Sequence, residues 1–469
     1  MELAGFVNKL CLWNAGEKHG YGTCKGNVCE SVLRRARNRA HIGRRVAVLH
    51  GFETAESSAW CMLDASDQTR GERAPLLIVA PMEVLGCAQF RAALLAVGGM
   101  DEFVTEFIRV PEHELQGSRG HMRHVRGIVK HFDVHETLPV KITPQIMGGE
   151  IMSMCAAVES LVMDRGAPGV DLNCGCPAKG ITGSGGGSSL LRDPNALHGM
   201  VRALRETADA CADRLGHFET SRAHAPARQL VHSSRAEIVE PQRIQTTNVA
   251  VKHKVQAPTK ERPPIRVPIS VKMRTGYAST ELFDENVLAI AEGGASRITI
   301  HGRTKVQHYT GSADWSMVAR AKHLLTVKYP QYTNVQVIGN GDINTTLDAA
   351  QILSLAKCDG LMLGRGACKN PLIFRQIKQQ VLGHAIPERD RRELVRAFWT
   401  TYASAGVVPK RANTSMAKHH KTQVAKYKMM VNWFFQQSHN ARFREILLTT
   451  NTDDPLWFMD QIIRFALLA

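Results

Sequence analysis

The sequence predicts an α/β fold: a (β/α)8 TIM barrel followed by a small C-terminal helical domain. Eight short, apolar, β-branched segments recur between residues 76 and 364, each bounded by turn residues. Amphipathic helical stretches lie between most of them, the alternation that builds a parallel sheet covered by helices. After about residue 383 the strand pattern stops and only helical periodicity remains. A doubly wound open sheet is the structural rival.

The strand candidates are Leu76–Met82, Phe103–Val110, Val140–Gly148, Gly169–Asn173, Ile269–Arg274, Ser296–His301, Val335–Gly339 and Gly360–Gly364. Helical segments include Gly149–Met163 and Glu281–Ala291. After the fourth strand the Gly-rich run Asn173–Gly187 suits neither helix nor strand. Asp193 then offers an N-cap oxygen and Pro194 fits the first helical position. Leu197, Met200, Val201, Leu204, Ala208, Cys211 and Leu215 follow at helical spacing. Near the C-terminus, Arg391–Tyr402, Lys418–Gln437, Phe443–Leu448 and Leu456–Leu467 each read as a helix.

Two regions fall outside this rhythm. Residues 1–73 mix Gly, Cys and the basic run Arg34-Arg35-Ala36-Arg37-Asn38-Arg39 with little periodicity. They are expected to form a weakly ordered extension, with a basic RNA-binding arm or a targeting segment as the sharper readings. Residues 217–266 carry prolines and isolated charges without an apolar face, which predicts a disordered surface insertion. The domains expected are thus the barrel over 74–383 and the helical domain over 384–469.

The 469 residues carry a formal net charge of +16, which favours a polyanionic partner. No apolar run is long enough to span a bilayer, so no membrane partner is expected. The 11 cysteines are scattered, and no convincing signal peptide precedes them. A reducing, cytoplasmic setting with free thiols follows. The spacing of Cys11, Cys24, Cys29 and Cys61 fits no standard zinc pattern, so no metal is expected.

Polar residues mark the ends of the strand candidates. Pro81-Met82 ends the first, Glu106 and Arg109 sit on the second and Gln145 on the third. Asn173 and Cys176 follow the fourth, Lys272 and Arg274 lie on the fifth, and His301-Gly302-Arg303 ends the sixth. Asn340-Gly341-Asp342 and Gly364-Arg365-Gly366 end the seventh and eighth. Strand carboxyl ends are where a barrel keeps its chemistry, and Gly-rich ends of strands seven and eight suit a phosphate.

The run LNCGCPAKGITGSGGGSSLLRDP resembles the signature of the tRNA-dihydrouridine synthases. So do APM at 80–82, TEFIRV at 105–110, SVKMR at 270–274, HGRTKVQHY at 301–309, IGNGDI at 338–343 and LGRGA at 363–367. The Gly run after the cysteine loop, with the Arg of TEFIRV, is most similar to the bacterial branch acting on uridine 16 of the tRNA D-loop. One departure is Val84, where relatives usually have Gly. The resemblance implies an FMN-binding barrel, a helical tRNA-binding domain, NADPH as reductant and a monomer.

By that resemblance Cys176 is the catalytic residue, donating a proton to C5 of uracil while hydride reaches C6. A thiol with a pKa near ~8.5 is mostly protonated at neutral pH and suits a general acid. Cys174 would be a buried thiol facing away. FMN contacts implied are Pro81, Met82, Glu83, Gln145, Lys272 and His301, with the phosphate on Asn340, Gly341, Asp342, Gly364 and Arg365. Lys272 would stabilise the reduced flavin as a nearby cation. Asn173, Lys179, Arg274 and Arg303 would hold the target base and adjacent phosphates, and Arg109 would orient the tRNA. Two other readings are an FMN barrel enzyme of small molecules, such as a dihydroorotate or dihydropyrimidine dehydrogenase, and a catalytically silent tRNA-binding protein. Basic charge and the helical tail argue against the first; Cys176 and Lys272 argue against the second.

Overall fold

The computed structural model describes residues 74–83, 85–112, 118–129, 140–177, 185–223, 266–405, 416–436 and 440–468. The expected extension 1–73, Val84, Lys179 and most of the expected insertion lie outside the described residues.

The elements run in the alternating order that the apolar segments demand. They are β1 (Leu76–Val79), α1 (Ala88–Val97), β2 (Glu102–Arg109), α2 (Ser118–Val129), β3 (Lys141–Met147) and α3 (Ile151–Glu159). Then come β4 (Val170–Cys174), α4 (Pro194–Ala223), β5 (Ile269–Arg274), α5 (Phe283–Glu292) and β6 (Arg297–His301). The barrel finishes with α6 (Ser316–His323), β7 (Gln336–Asn340), α7 (Thr346–Ala356) and β8 (Gly360–Leu363). Every strand pairs with its neighbours in parallel, and β1 pairs with β8 to close the barrel. Closure excludes the doubly wound rival, because an open sheet leaves two unpaired edges.

Strand alternation sorts the side chains. Leu172 and Cys174 of β4, Val271 and Met273 of β5, and Ile298 and Ile300 of β6 join the core beneath the helices. The residues between them face inward. Ile78, Ala80, Val104, Ile338 and Met362 make an apolar plug inside the barrel. At the strands' amino ends Glu102 accepts from Thr143 Oγ1 at 2.7 Å and Arg297 Nη1 at 2.9 Å. Burial alone would raise the Glu102 pKa; Arg297, Lys141 and Thr143 more than offset it, so the carboxyl is held below its ordinary value. This closed end is structural, which leaves the carboxyl ends for function.

Asp193 caps α4 as expected, accepting from the backbone N–H of Asn195 at 2.9 Å and Ala196 at 3.1 Å. A 3-10 turn, Gly187–Arg192, precedes it. One boundary differs from expectation. The helix runs on to Ala223, so residues 217–223 extend it rather than open an irregular insertion. A helix already nucleated adds residues cheaply without a further apolar face.

Beyond β8 lie α8 (Arg365–Lys369), α9 (Ile373–Gln380), α10 (Arg391–Ser404), α11 (Met416–Phe434), α12 (Ala441–Thr449) and α13 (Pro455–Leu468). Helix α10 packs on α1 of the barrel through Phe90 and Phe398, edge to face at 6.1 Å between centroids. Trp399, Tyr402 and Phe398 are fully buried there. Gln89 of α1 also donates to Gln423 of α11 at 3.3 Å. Aromatic burial thus joins the C-terminal helices to the barrel flank, and all described residues fall within one compact unit.

Candidate active site

A cavity of about 690 Å³ opens at the carboxyl ends of the strands. Its lining includes Pro81, Met82, Glu83, Asn173, Cys176, Lys272, Arg274, His301, Asn340, Gly341, Asp342, Gly364 and Arg365. Thirteen residues singled out from sequence therefore converge on one space, drawn from the ends of six strands. Volume and lining suit an organic ligand of cofactor size.

The reactive loop is built from β4 outward. Asn173, the inward residue near its end, turns its side-chain oxygen to the backbone N–H of Gly175 and Cys176, both at 2.9 Å. Cys176 is thereby presented half-buried at the cavity wall. Its carbonyl accepts from Ser188 Oγ at 2.9 Å, which ties the far end of the Gly-rich loop back. Cys174 is fully buried on the opposite side, and burial pushes its thiol pKa well up. The two thiols have opposite fates because one lies on the strand, facing out, and the other lies beyond its end.

Beneath the loop runs a buried hydrogen-bond chain. Asn173 Nδ2 donates to Gln145 Oε1 at 2.7 Å, and Gln145 Nε2 donates to Asp171 Oδ2 at 2.7 Å. Ser270 Oγ donates to the other Asp171 oxygen at 2.5 Å. Gln145 is wholly buried and lies under the floor rather than on it. Burial raises the Asp171 pKa, opposed by the bonds from Gln145 and Ser270 and by the Lys272 and Arg297 charges. Asp171 was not singled out from sequence; an acidic residue within an apolar strand was its one available signal.

Lys272 pairs in register with Asn173 across β4 and β5. Burial and the Arg274 charge lower its pKa to about 8, against the pull of Asp171. His301 is lowered to about 2 by burial and by Lys272, Arg274, Arg303 and Arg365, so its ring is neutral. Its Nδ1 is buried without a hydrogen-bond partner. Arg274 donates to the carbonyls of Gly175, Thr304 and His308, stitching the β4 and β6 loops together.

At the β7 and β8 ends, Asn340 Nδ2 donates to the Met362 carbonyl at 2.7 Å. Gly341 has a φ of +119°, and a Cβ there would press on Ala313 and the His301 ring. Asp342 accepts from Arg303 with both oxygens, and one of them also lies 3.5 Å from Arg365 Nη2. Burial would raise the Asp342 pKa; Arg303, the Ala313 N–H and Arg365 bring it below its ordinary value.

Three described residues singled out from sequence are not brought to the cavity wall. Gln145 is one. Arg303 is almost fully buried, with its guanidinium engaged by Asp342 and by the Thr310 and Gly311 carbonyls. It braces the β6 loop and is not presented to a base. Arg109 is exposed outside the cavity, 3.5 Å from Glu83. Lys179 falls outside the described residues. Conversely, Tyr309, Asn344 and Trp433 line the cavity without having been anticipated. Arg365 lies 4.3 Å from the centre of the Tyr309 ring. Trp433 comes from α11, so the helical region supplies part of the wall.

Comparison with known proteins decides the family. The model of the dihydrouridine synthase family matches residues 78–211 and 240–462. The chain belongs to the dihydrouridine synthase family. It is 30% identical over 301 residues to a tRNA-dihydrouridine(16) synthase of Aquipseudomonas alcaligenes, covering 64% of this chain and 74% of that protein. The tRNA-dihydrouridine(16) synthase of Neisseria meningitidis serogroup A is 28% identical, with 69% and 78% covered. That of Escherichia coli K12 is 27% identical, with 64% and 75% covered. In this family member no helix among the described residues is long and apolar enough to cross a membrane.

Proposed function

We propose that this dihydrouridine synthase reduces the C5–C6 double bond of uridine 16 in the tRNA D-loop, with FMN as cofactor and NADPH as reductant. The observation that carries the reading is the half-buried Cys176 on the wall of the same cavity as Lys272, His301 and Arg365. The position along the tRNA rests on the names of the relatives at 27–30% identity.

The residues present fit FMN. The cavity volume is adequate, the buried His301 Nδ1 lacks a partner, and Gly341 and Gly364 add no side chain of their own to the wall. Pro81, Met82, Glu83, Lys272 and His301 would hold the ring. Gly341, Gly364, Asn340 and Arg365 would hold the phosphate, with Asp342 contributing backbone only. Gln145 would act through Asn173. When bound and reduced, FMN supplies hydride for C6 of uracil.

The chain's own residues do the rest. The Cys176 thiol gives its proton to C5, so hydride and proton together saturate the bond. Asn173 fixes the Cys176 backbone, and the neutral His301 contributes hydrogen bonding rather than charge. The uridine must leave its stack to enter the cavity. Among the described residues no Rossmann unit is present, and NADPH would visit the flavin site and leave before tRNA enters.

Dihydrouridine mapping tests this. In cells lacking the protein, nucleotide 16 should revert to uridine and be restored by the wild type. Cys176→Ala should bind FMN and tRNA yet lose about 10²-fold or more in turnover. Persistence of dihydrouridine 16 without the protein would overturn the substrate, and full activity of Cys176→Ala would overturn the proton donor.

A further inference from the structure

Beside the cavity mouth two cations converge on one ring. Arg192 Cζ lies 3.6 Å from the centre of the Tyr277 ring, and Lys305 Nζ lies 4.7 Å from it. Three different loops supply them: the 3-10 turn after the cysteine loop, the loop after β5 and the loop after β6. Neither cation is ion-paired with a carboxylate among the described residues. Two like charges on one ring repel each other, by an amount comparable to the cation–π attraction of about 0.5–1 kcal/mol that each gains at such sites. Anions drawn to the two cations would relieve the repulsion.

The cluster is fastened to the reactive loop on both sides. Lys305 and Val306 donate backbone hydrogen bonds to Gly276 and Tyr277 at 2.9 and 3.0 Å. Three residues on, His308 and Tyr309 line the cavity, and Arg274 grips the His308 carbonyl. On the other side, Ser188 of the same 3-10 turn as Arg192 binds the Cys176 carbonyl. Val306 and Tyr309, on the same loop as Lys305, are exposed. Paired cations beside exposed aromatic surface suit a nucleic-acid strand, whose phosphates need cations and whose bases stack on rings.

We propose that Arg192, Tyr277 and Lys305 form a backbone clamp for the tRNA strand next to the flipped uridine. Tyr277 holds the two cations at a fixed separation, and the cations take phosphate oxygens of the flanking nucleotides. This deepens the proposed function and rests on tRNA being the substrate.

The test is the salt dependence of binding of an unmodified tRNA transcript to the FMN-loaded full chain. Neutralising a phosphate contact lowers the slope of log K against log salt by about 0.7–0.9. Arg192→Gln and Lys305→Gln should each lower it by about that much, the double variant by about twice as much. Affinity should fall about tenfold in the double variant at low salt. Flavin content and melting temperature report folding, and Arg192→Lys should keep the slope.

Lys328, 5.6 Å from Tyr329 ahead of β7, supplies the control. It is the same kind of pair at the opposite end of the barrel, and Lys328→Gln should leave the slope unchanged. Wild-type slopes in both clamp variants, or an equal loss in Lys328→Gln, would overturn the clamp while leaving the substrate intact. A wild type that binds no tRNA would sink both.

Discussion

The placement of Cys176 depends on a chain of buried polar side chains. Its backbone N–H is held by Asn173, Asn173 by Gln145, and Gln145 by Asp171. Asp171→Asn would replace an acceptor by a group that also donates, so the Gln145 amide would have to turn and Asn173 would lose its anchor. The expected result is turnover reduced about 10²-fold, as for a misplaced reacting group, with FMN still bound; unchanged turnover would show that the chain does not position the thiol. Lys272 gives a pH prediction. Burial and Arg274 depress its pKa from 10.5 to about 8. In the folded protein its charge is therefore present below about 8 and lost as pH rises through that value. If the cation supports reduction, turnover should fall above about pH 8, and Lys272→Met should be slow but without that fall. Cys176 was legible because two thiols, a glycine and an asparagine stood together at a strand end, and the family resemblance singled out Cys176 over Cys174. Asp171 was not, because its partner Ser270 is 99 residues away in sequence and only the β4–β5 register joins them.

Elements were legible where period and apolarity agreed. All eight strand candidates became strands with ends shifted by no more than three residues, because buried parallel strands read as short apolar runs. The end of α4 was not legible, since residues 217–223 offer no apolar stripe to mark a helix. Trp433 was missed for a related reason. Val424, Tyr427, Val431 and Phe434/Phe435 mark the apolar face of α11, and a residue two positions past Val431 lies about 200° round a helix. It faces elsewhere, and here that is the cavity. Barrel closure itself depends on one small residue. Gly360 of β8 sits so near Leu76 of β1 that an added Cβ would press on the Leu76 backbone and Cβ. Gly360→Ala should cost about 1–3 kcal/mol as overpacking does, measured by chemical denaturation. A neutral substitution would mean the β1–β8 seam can relax, contrary to the register seen here.

For the molecule as a whole, the question is whether the C-terminal helices are an appendage or part of the enzyme's frame. Helical periodicity marks them as a small separate domain, and the family resemblance gives that domain tRNA binding as its expected role. The packing ties them in: Phe398, Trp399 and Tyr402 of α10 are buried, Phe398 meets Phe90 of α1, and Trp433 of α11 lines the cavity. Such a seam depended on long-range aromatic pairing that periodicity cannot specify. If it joins the two parts thermodynamically, barrel and helices unfold together. Phe398→Ala should then cost about 3–5 kcal/mol and lower a single denaturation transition without splitting it. Flavin release and loss of far-ultraviolet circular dichroism should stay coincident. Two separated transitions in the wild type would refute the common frame, and would make the contribution of Trp433 to the cavity wall a matter of docking between independent parts.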